Sequence, residues 1–176
     1  MTQRKLVQSA PAFVKEHDHA VCIKDAMAQV KVLCQQRAVK LTTLRERVLS
    51  VVWQAHRPIG AYDILAELSV DQKPVAPPTV YRALDFLLAQ GFIHRINSLN
   101  AYLGCVAPDL RHSGQFLICT CCRLVQELHQ PRVNTTILDA AADCHFQVAQ
   151  QIVEISGLCQ RCQSHNATPE AKDDIA

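Results

Sequence analysis

The chain has 176 residues, of which 49% are hydrophobic and 19% charged, with a formal net charge of +2. This length accommodates one compact domain or two small ones, and the aliphatic content excludes a largely disordered chain. No apolar run reaches the roughly 18 residues of a membrane span and the N-terminus lacks a secretory core, so we expect a cytoplasmic protein without membrane contact.

The first part of the chain predicts helices behind a flexible polar lead-in over residues 1–21. Apolar residues within 23–37 recur at the spacing of one helix face. A second helix is predicted over Thr43–Gln54, where Thr42 or Thr43 can cap the start. These helices are short enough to pack around one small core.

A third helix is predicted over Ala61–Leu68, and a fourth starts near Pro78, a residue suited to a first helical turn. Gly91 ends the fourth helix. Residues 92–104 then predict two short strands around a polar turn. Helices followed by a hairpin are the order of a winged helix-turn-helix domain, for which we assign residues 22–104. An unspecialised small α+β domain is the alternative.

The second part has a different pattern, and we predict a hinge over residues 105–113 before it. Strands, a helix and a longer strand are expected over Phe116–Cys119, Leu124–Leu128, Asn134–Cys144 and Phe146–Ser156. Residues 114–163 would form this α+β domain, and 164–176 a loose tail. The domain is small and carries apolar faces without partners, so we expect it to form a homodimer.

Charge divides unevenly between the two parts. Residues 1–104 carry 13 Lys and Arg against 8 Asp and Glu, whereas residues 105–176 carry 5 against 8. The basic first part is therefore the candidate for contact with nucleic acid, although this excess alone does not establish it.

Nine cysteines in a chain expected in the cytoplasm favour metal ligation over disulfides. Two CxxC pairs supply four thiolates, which suit a structural zinc ion with no open position for a substrate. A redox CxxC is the alternative, but a second pair argues against it. Cys121 is also available in the first pair, although the better spacing selects Cys119, Cys122, Cys159 and Cys162.

A second group of residues offers mixed nitrogen, sulfur and oxygen ligands. His94 lies in the first hairpin strand, Cys105 follows the second, His112 is in the hinge, and Glu127 follows the first CxxC pair. Zinc accepts this ligand set, although each residue taken singly has an ordinary structural explanation.

Enzyme classes lack a recognisable site in this sequence. We find no Gly-rich phosphate loop, HExxH motif or nucleophile elbow. A zinc-dependent hydrolase or deaminase stays as an alternative in which Glu127 would act as a base instead of a ligand. We therefore expect neither an enzyme nor a small-molecule substrate.

The segment PPTVYRALDFLLAQGF at residues 77–92 resembles the recognition helix of the ferric uptake regulator family, with its TVYR-x-L-x-x-L-x-x-x-G signature. KLTTLRERVLSVV and ICTCC…GLCQRC resemble the family's preceding helix and its zinc knuckles. The resemblance covers residues 25–162. It departs from the family's T-P-Q-R pattern, which reads Thr42-Thr43-Leu44-Arg45 here.

Within the family, the zinc uptake regulator branch is the most similar, because His94, Cys105, His112 and Glu127 match its regulatory ligands position by position. The resemblance implies a zinc-responsive repressor that binds a palindromic double-stranded operator as a dimer, with two zinc ions per subunit. It also implies control of zinc uptake genes. An iron- or peroxide-responsive regulator of the same family is the alternative.

The resemblance assigns DNA contacts to the recognition segment. Tyr81 and Arg82 are the candidates for base edges, and Thr79 is the candidate for phosphate. Tyr81 has a core role as its alternative. Candidate contacts to the DNA backbone are Lys40, Arg45, Arg57 and Arg95.

Overall fold

The structure is a computed structural model that describes residues 19–55, 57–70, 75–109 and 113–165. Within these ranges, the described residues up to 109 form an N-terminal unit, and those from 113 to 165 form a C-terminal unit. The predicted α+β fold is confirmed, with helices and a hairpin first and a smaller mixed unit second. No helix of the described ranges combines the length and apolarity needed to cross a membrane.

The N-terminal unit packs four helices against a small antiparallel sheet. The helices are α1 (His19–Gln36), α2 (Thr43–Gln54), α3 (Ala61–Val70) and α4 (Pro77–Ala89). The strands, in the sheet order β1-β3-β2, are β1 (Ile59–Gly60), β2 (Ile93–Ile96) and β3 (Ala101–Gly104).

Local sequence explains where the helices begin and end. Thr42 caps α2 because its hydroxyl accepts a hydrogen bond from the Arg45 N–H. Pro77 and Pro78 occupy the first turn of α4, where a missing N–H costs nothing. Gly91 follows this helix with φ of 69°, a left-handed conformation that glycine adopts without strain.

The core of the N-terminal unit lies where α1, α2, α3 and α4 meet. Its largest fully buried side chains include Leu49, Ile64, Leu84, Leu87 and Phe92. The hairpin of β2 and β3, which we call the wing, closes one side of this core through Ile93 and Tyr102. The last helix and the wing are therefore held as one body by shared apolar burial.

The C-terminal unit consists of a three-stranded sheet and two helices. Its elements are β4 (Gly114–Cys119), β5 (Val125–Glu127), α5 (Pro131–Asp143), β6 (Ile152–Gly157) and α6 (Gln160–His165). β4 is central, antiparallel to β5 and parallel to β6. Apolar side chains on its helix and last strand are exposed in the single chain, among them Ile137, Leu138 and Ile155.

Four elements differ from the sequence predictions. α1 already begins at His19, so the last residues of the lead-in predicted over 1–21 are helical. The strand predicted over Phe146–Ser156 begins only at Ile152, because its partner β4 offers just six residues for pairing. β1 lies in a stretch that the sequence predicts only as a break after α2. A strand of two residues is too short to show the alternation of apolar and polar residues by which a strand is predicted. The short helix α6 is not predicted from the sequence.

Candidate metal centres and nucleic-acid interface

The four cysteines of the two CxxC pairs meet at one end of the C-terminal sheet. β4 and β6 are parallel and in register to their last pair, Cys119 with Gly157, so the segments that follow them leave the sheet together. The four sulfur atoms lie within 4.8 Å of one another, and we call this group the thiol cluster. Its members are Cys119, Cys122, Cys159 and Cys162.

The spacing inside the thiol cluster fits a zinc ion. Zn–S bonds of about 2.3 Å in a tetrahedron separate the sulfur atoms by about 3.8 Å. The Sγ atoms of Cys122 and Cys159 are 3.8 Å apart. Cys121 is exposed and stands outside the cluster, so the geometry selects Cys122 as the partner of Cys119.

The surroundings of the thiol cluster distinguish its members electrostatically. The backbone N–H of Cys159 donates to Cys119 Sγ at 3.4 Å. This hydrogen bond, with others from Cys122 and Cys121, lowers the pKa of Cys119 to about 6. Burial instead raises the pKa of Cys162. The lowered pKa favours the thiolate at Cys119 and the raised pKa favours the thiol at Cys162, so a cation that enters the cluster displaces the proton of Cys162.

Three of the four residues in the mixed ligand group also converge, and we call them the mixed cluster. Ligand atoms of His94, Cys105 and Glu127 lie within 4.8 Å of one another, and His94 Nε2 is 3.0 Å from Glu127 Oε1. Cys105 is 1% exposed. His112, the fourth predicted ligand, lies outside the described residues.

The mixed cluster draws on both units of the chain. His94 is in β2 and Cys105 follows β3, where its N–H donates to the Phe92 carbonyl and closes the wing. Glu127 ends β5 in the C-terminal unit. The His94 ring contacts Phe116 edge-on, with centroids 5.2 Å apart, which fixes the imidazole toward the cluster.

Two glycines make room for aromatic rings beside residues of the mixed cluster. A Cβ at Gly104, directly before Cys105, would lie 2.7 Å from the Trp53 ring. A Cβ at Gly114 would lie 2.6 Å from the Phe116 ring. Both distances are shorter than side chains tolerate. The absence of a side chain therefore lets β3 pack on α2 at Gly104 and leaves room for the Phe116 ring at Gly114.

Burial and neighbouring charge affect the thiol of the mixed cluster. Desolvation first, and the Glu127 carboxylate second, raise the pKa of Cys105 to about 12. The protonated thiol is the stable form while no cation is bound, because a buried thiolate beside a carboxylate is unfavourable. A divalent cation compensates this charge, and imidazole, thiolate and carboxylate are all zinc ligands.

The predicted recognition segment presents its polar residues outward. Thr79, Tyr81 and Arg82 are exposed along α4, while the opposite side of the helix is buried through Val80, Ala83, Leu84 and Leu87. Tyr81 is 41% exposed, which excludes a core role for it. The exposed face of α4 is therefore available to a partner.

The four other basic candidates differ in their surroundings. Lys40, Arg57 and Arg95 are exposed, and Arg95 donates to Asn100 Oδ1 at 3.1 Å. Arg45 instead donates to the Lys40 carbonyl at 2.6 Å, with its guanidinium 3.5 Å from the centroid of the Phe86 ring. This stacking fixes the start of α2 against α4 and leaves Arg45 with a structural role.

Sequence reasoning missed two charged residues that hold distant segments of the chain together. Arg37 donates to the carbonyls of Gln90 and Pro108 and lies over the Phe92 ring. Glu154, on β6, accepts hydrogen bonds from the backbone of the wing. Both side chains form hydrogen bonds with main-chain atoms. Because every residue carries these atoms, no pattern of residue types in the sequence predicts the contacts.

Known proteins are similar in sequence to this chain over most of its length. The profile of the "Ferric uptake regulator family" matches residues 36–156. The chain is 38% identical over 140 residues to the "Zinc uptake regulation protein" of Escherichia coli (strain K12), covering 79% of this chain and 82% of the relative.

Solved structures of zinc uptake regulators are also similar to this chain in three dimensions. A zinc uptake regulator complexed with zinc and DNA superposes with a TM-score of 0.79 at 37% identity, covering 83% of this chain and 98% of that one. The crystal structure of holo XcZur superposes with a TM-score of 0.74 at 38% identity, covering 80% and 98%.

Proposed function

The chain belongs to the ferric uptake regulator family, and we propose that it is a zinc-responsive repressor of zinc uptake genes. It binds palindromic double-stranded DNA operators as a homodimer and acts in the cytoplasm, where the operators are. Residues 22–104 are the DNA-binding domain, 105–113 the hinge, and 114–163 the dimerisation domain. The protein is a regulator and not an enzyme.

The thiol cluster is proposed to hold a structural zinc ion. Four thiolates fill a tetrahedral shell and leave no position for water or substrate, so the ion stabilises and does not react. The cluster would link the end of β4 to the start of α6, beyond the ends of the strands. It therefore maintains the unit that carries the exposed apolar faces.

The mixed cluster is proposed as the regulatory site, with His112 as a fourth ligand. One observation carries this assignment: ligand atoms from the wing and from the C-terminal sheet meet within 4.8 Å. A zinc ion bound there would supply a cross-link between the two units. The Cys105 sulfur favours zinc over ferrous iron, for which oxygen and nitrogen ligands are better suited.

Zinc at the mixed cluster is proposed to regulate operator binding by shifting the population of dimers toward one arrangement of the recognition helices. With the mixed cluster empty, the wing is held to the sheet by apolar packing and hydrogen bonds alone. Loading the site favours one separation of the two recognition helices in the dimer, and operator half-sites require one separation. By linkage, bound operator must tighten the affinity for the metal to the same extent.

Contact with DNA is proposed for the exposed face of α4. Tyr81 and Arg82 read base edges, and Thr79 contacts phosphate near the helix start. Exposure supports Lys40, Arg57 and Arg95 as additional phosphate contacts. Arg45 is the weakest member of this set, because its guanidinium already stacks on Phe86.

The deciding experiment is fluorescence anisotropy of a labelled, AT-rich palindromic promoter fragment from a zinc uptake gene. The protein retains the zinc of its thiol cluster, free zinc is buffered and raised in steps at fixed salt, and parallel series use ferrous and manganous ions. We expect tight binding that appears only with zinc, and a scrambled fragment of equal length serves as the control.

Other outcomes would redirect the assignment. Operator binding that follows iron would retain the family and transfer the protein to the iron-responsive branch. Zinc-dependent turnover of a substrate, with Glu127 acting as the base, would favour a hydrolase or deaminase. The absence of specific binding to two different promoters, with every metal, would contradict the proposed function.

A further inference from the structure

Three residues form a row across the C-terminal sheet and face the wing. Phe116 of β4 pairs with Glu127 of β5 on one side and with Glu154 of β6 on the other. Directly paired residues on neighbouring strands project from the same face of a sheet. The row therefore presents a carboxylate, an aromatic ring and a second carboxylate in sequence.

The first wing strand lies along this row. His94 reaches Glu127 at 3.0 Å, and two residues later Ile96 packs in one buried cluster with Phe116. His94 and Ile96 project from the same face of β2, because side chains alternate along a strand. The strand thus follows the row from its first carboxylate to its ring.

The row ends where the wing turns. The backbone N–H of Asn97 donates to Glu154 Oε1 at 2.6 Å, and that of Ser98 donates to Oε2 at 3.0 Å. These two groups open the helical turn Asn97–Leu99 between β2 and β3. One carboxylate thereby engages two consecutive main-chain donors, and this fixes the backbone itself and not merely a side-chain rotamer.

The two carboxylates act at opposite ends of β2. Glu127 belongs to the mixed cluster and holds the strand near its start, whereas Glu154 holds the turn at its end. A hairpin attached at one end can still rotate about that attachment. Attachment at both ends defines its direction, and with it the direction of α4, which shares a core with the wing.

We propose that Glu154 is a positioning residue that fixes the tip of the wing on the dimerisation sheet, so that loading of the mixed cluster orients the recognition helix. This inference rests on the proposed function. Glu154 contacts neither the metal nor the operator in this role. Because Glu154 holds the tip of the wing, metal binding at His94 would fix the orientation of α4.

The test uses the full-length protein with near-isosteric Glu154→Gln and with Glu154→Ala. Gln retains one carbonyl acceptor, so its effect should be the smaller of the two. Asp143→Asn removes an exposed carboxylate of the same unit and serves as the matched control. Thermal unfolding and zinc content establish that each variant is folded and carries the zinc of its thiol cluster.

Two measurements are made on each variant. Amide hydrogen exchange by NMR reports on the N–H groups of Asn97 and Ser98 in the zinc-loaded protein. Fluorescence anisotropy gives the ratio of operator affinities with and without zinc at the mixed cluster. We expect exchange to accelerate at both amides and the zinc-dependent gain to fall about tenfold, within the usual range of allosteric coupling. The control should change neither.

A purely structural role for Glu154 would lower the unfolding temperature and leave the zinc-dependent gain intact. The proposal is overturned if exchange at Asn97 and Ser98 is unchanged, or if it accelerates while the gain stays at the wild-type value. If the wild-type protein shows no zinc-dependent operator binding, the proposed function fails and this role falls with it. The exchange data would still show separately whether Glu154 holds the wing.

Discussion

The thiol cluster and the mixed cluster differ in what they join. All four sulfur atoms of the first come from the C-terminal unit, from segments that leave adjacent strands at the same end. The second combines two residues of the wing region with one from the other sheet. A metal site confined to one unit can only stabilise that unit, whereas a site shared by two units can also set their orientation.

The chemistry of the ligands matches this division. Four thiolates form a closed, soft shell that suits permanent retention of zinc. A site with one thiolate, one imidazole and one carboxylate has fewer anionic sulfur ligands and exchanges metal more readily. Changes to the two clusters should therefore have distinct consequences for folding and for operator binding.

The largest effect is expected for Cys159→Ser. Structural zinc sites contribute roughly 10 to 16 kcal/mol, comparable to the whole stability of a domain, so the C-terminal unit should unfold and the dimer dissociate. Metal analysis and sedimentation velocity measure both losses. Cys144→Ser, at an exposed cysteine, is the control. A zinc-loaded dimer of the Cys159 variant would show that the cluster is dispensable for folding.

Cys105→Ser should leave a folded dimer with zinc in its thiol cluster and lose zinc-dependent operator binding, by about 100-fold. Serine has nearly the same volume as cysteine but does not provide the thiolate. Anisotropy against the operator, with zinc content determined in parallel, provides the measurement. Tight zinc-dependent binding by this variant would remove Cys105 from the regulatory site.

Gly104→Ala should destabilise the N-terminal unit by about 1 to 3 kcal/mol, because the new methyl group would overlap the Trp53 ring at 2.7 Å. Denaturant titration gives this value. Gly157→Ala is the matched control, since a Cβ there meets no atom within 4 Å. If both variants are equally stable, the wing is not seated by this contact. Zinc in the thiol cluster should be unaffected.

The attachment of the wing by Glu154 should depend on pH. Burial acts to raise the pKa of Glu154, but hydrogen bonds from Ser98 and Asn97 outweigh it and lower the pKa below its ordinary value of 4.5. The stabilisation is therefore complete above pH 4.5 and is lost as the pH falls through the lowered pKa. The difference in free energy of unfolding between the wild type and Glu154→Gln should decrease as the pH is lowered through this pKa, which denaturant titration at each pH measures. A difference independent of pH would contradict this.

The smallest effect is expected for Cys121→Ser. This cysteine is exposed and the cluster beside it is complete without it. Zinc content, dimerisation and operator affinity should all equal those of the wild type. A loss of zinc would show that Cys121 replaces Cys122 as a ligand.

Much of the fold is accessible from local sequence. The helix over Thr43–Gln54 is predicted with the bounds that the structure shows, because its cap and its stop are made by neighbouring residues. The two CxxC pairs are recognisable because each pair brings its sulfur atoms together within one turn. The set of mixed ligands follows from residue type and from resemblance, and the three members that lie in the described ranges converge.

The remaining features depend on segments far apart in the chain. The last strand is shorter than predicted because its length is limited by β4, which lies more than thirty residues earlier. Arg45 stacks on Phe86, and Glu154 binds the wing through backbone N–H groups that leave no trace in composition or spacing. Short-range signals follow from local sterics and capping, whereas strand pairing, helix packing and contact between the units arise only when segments distant in the chain meet.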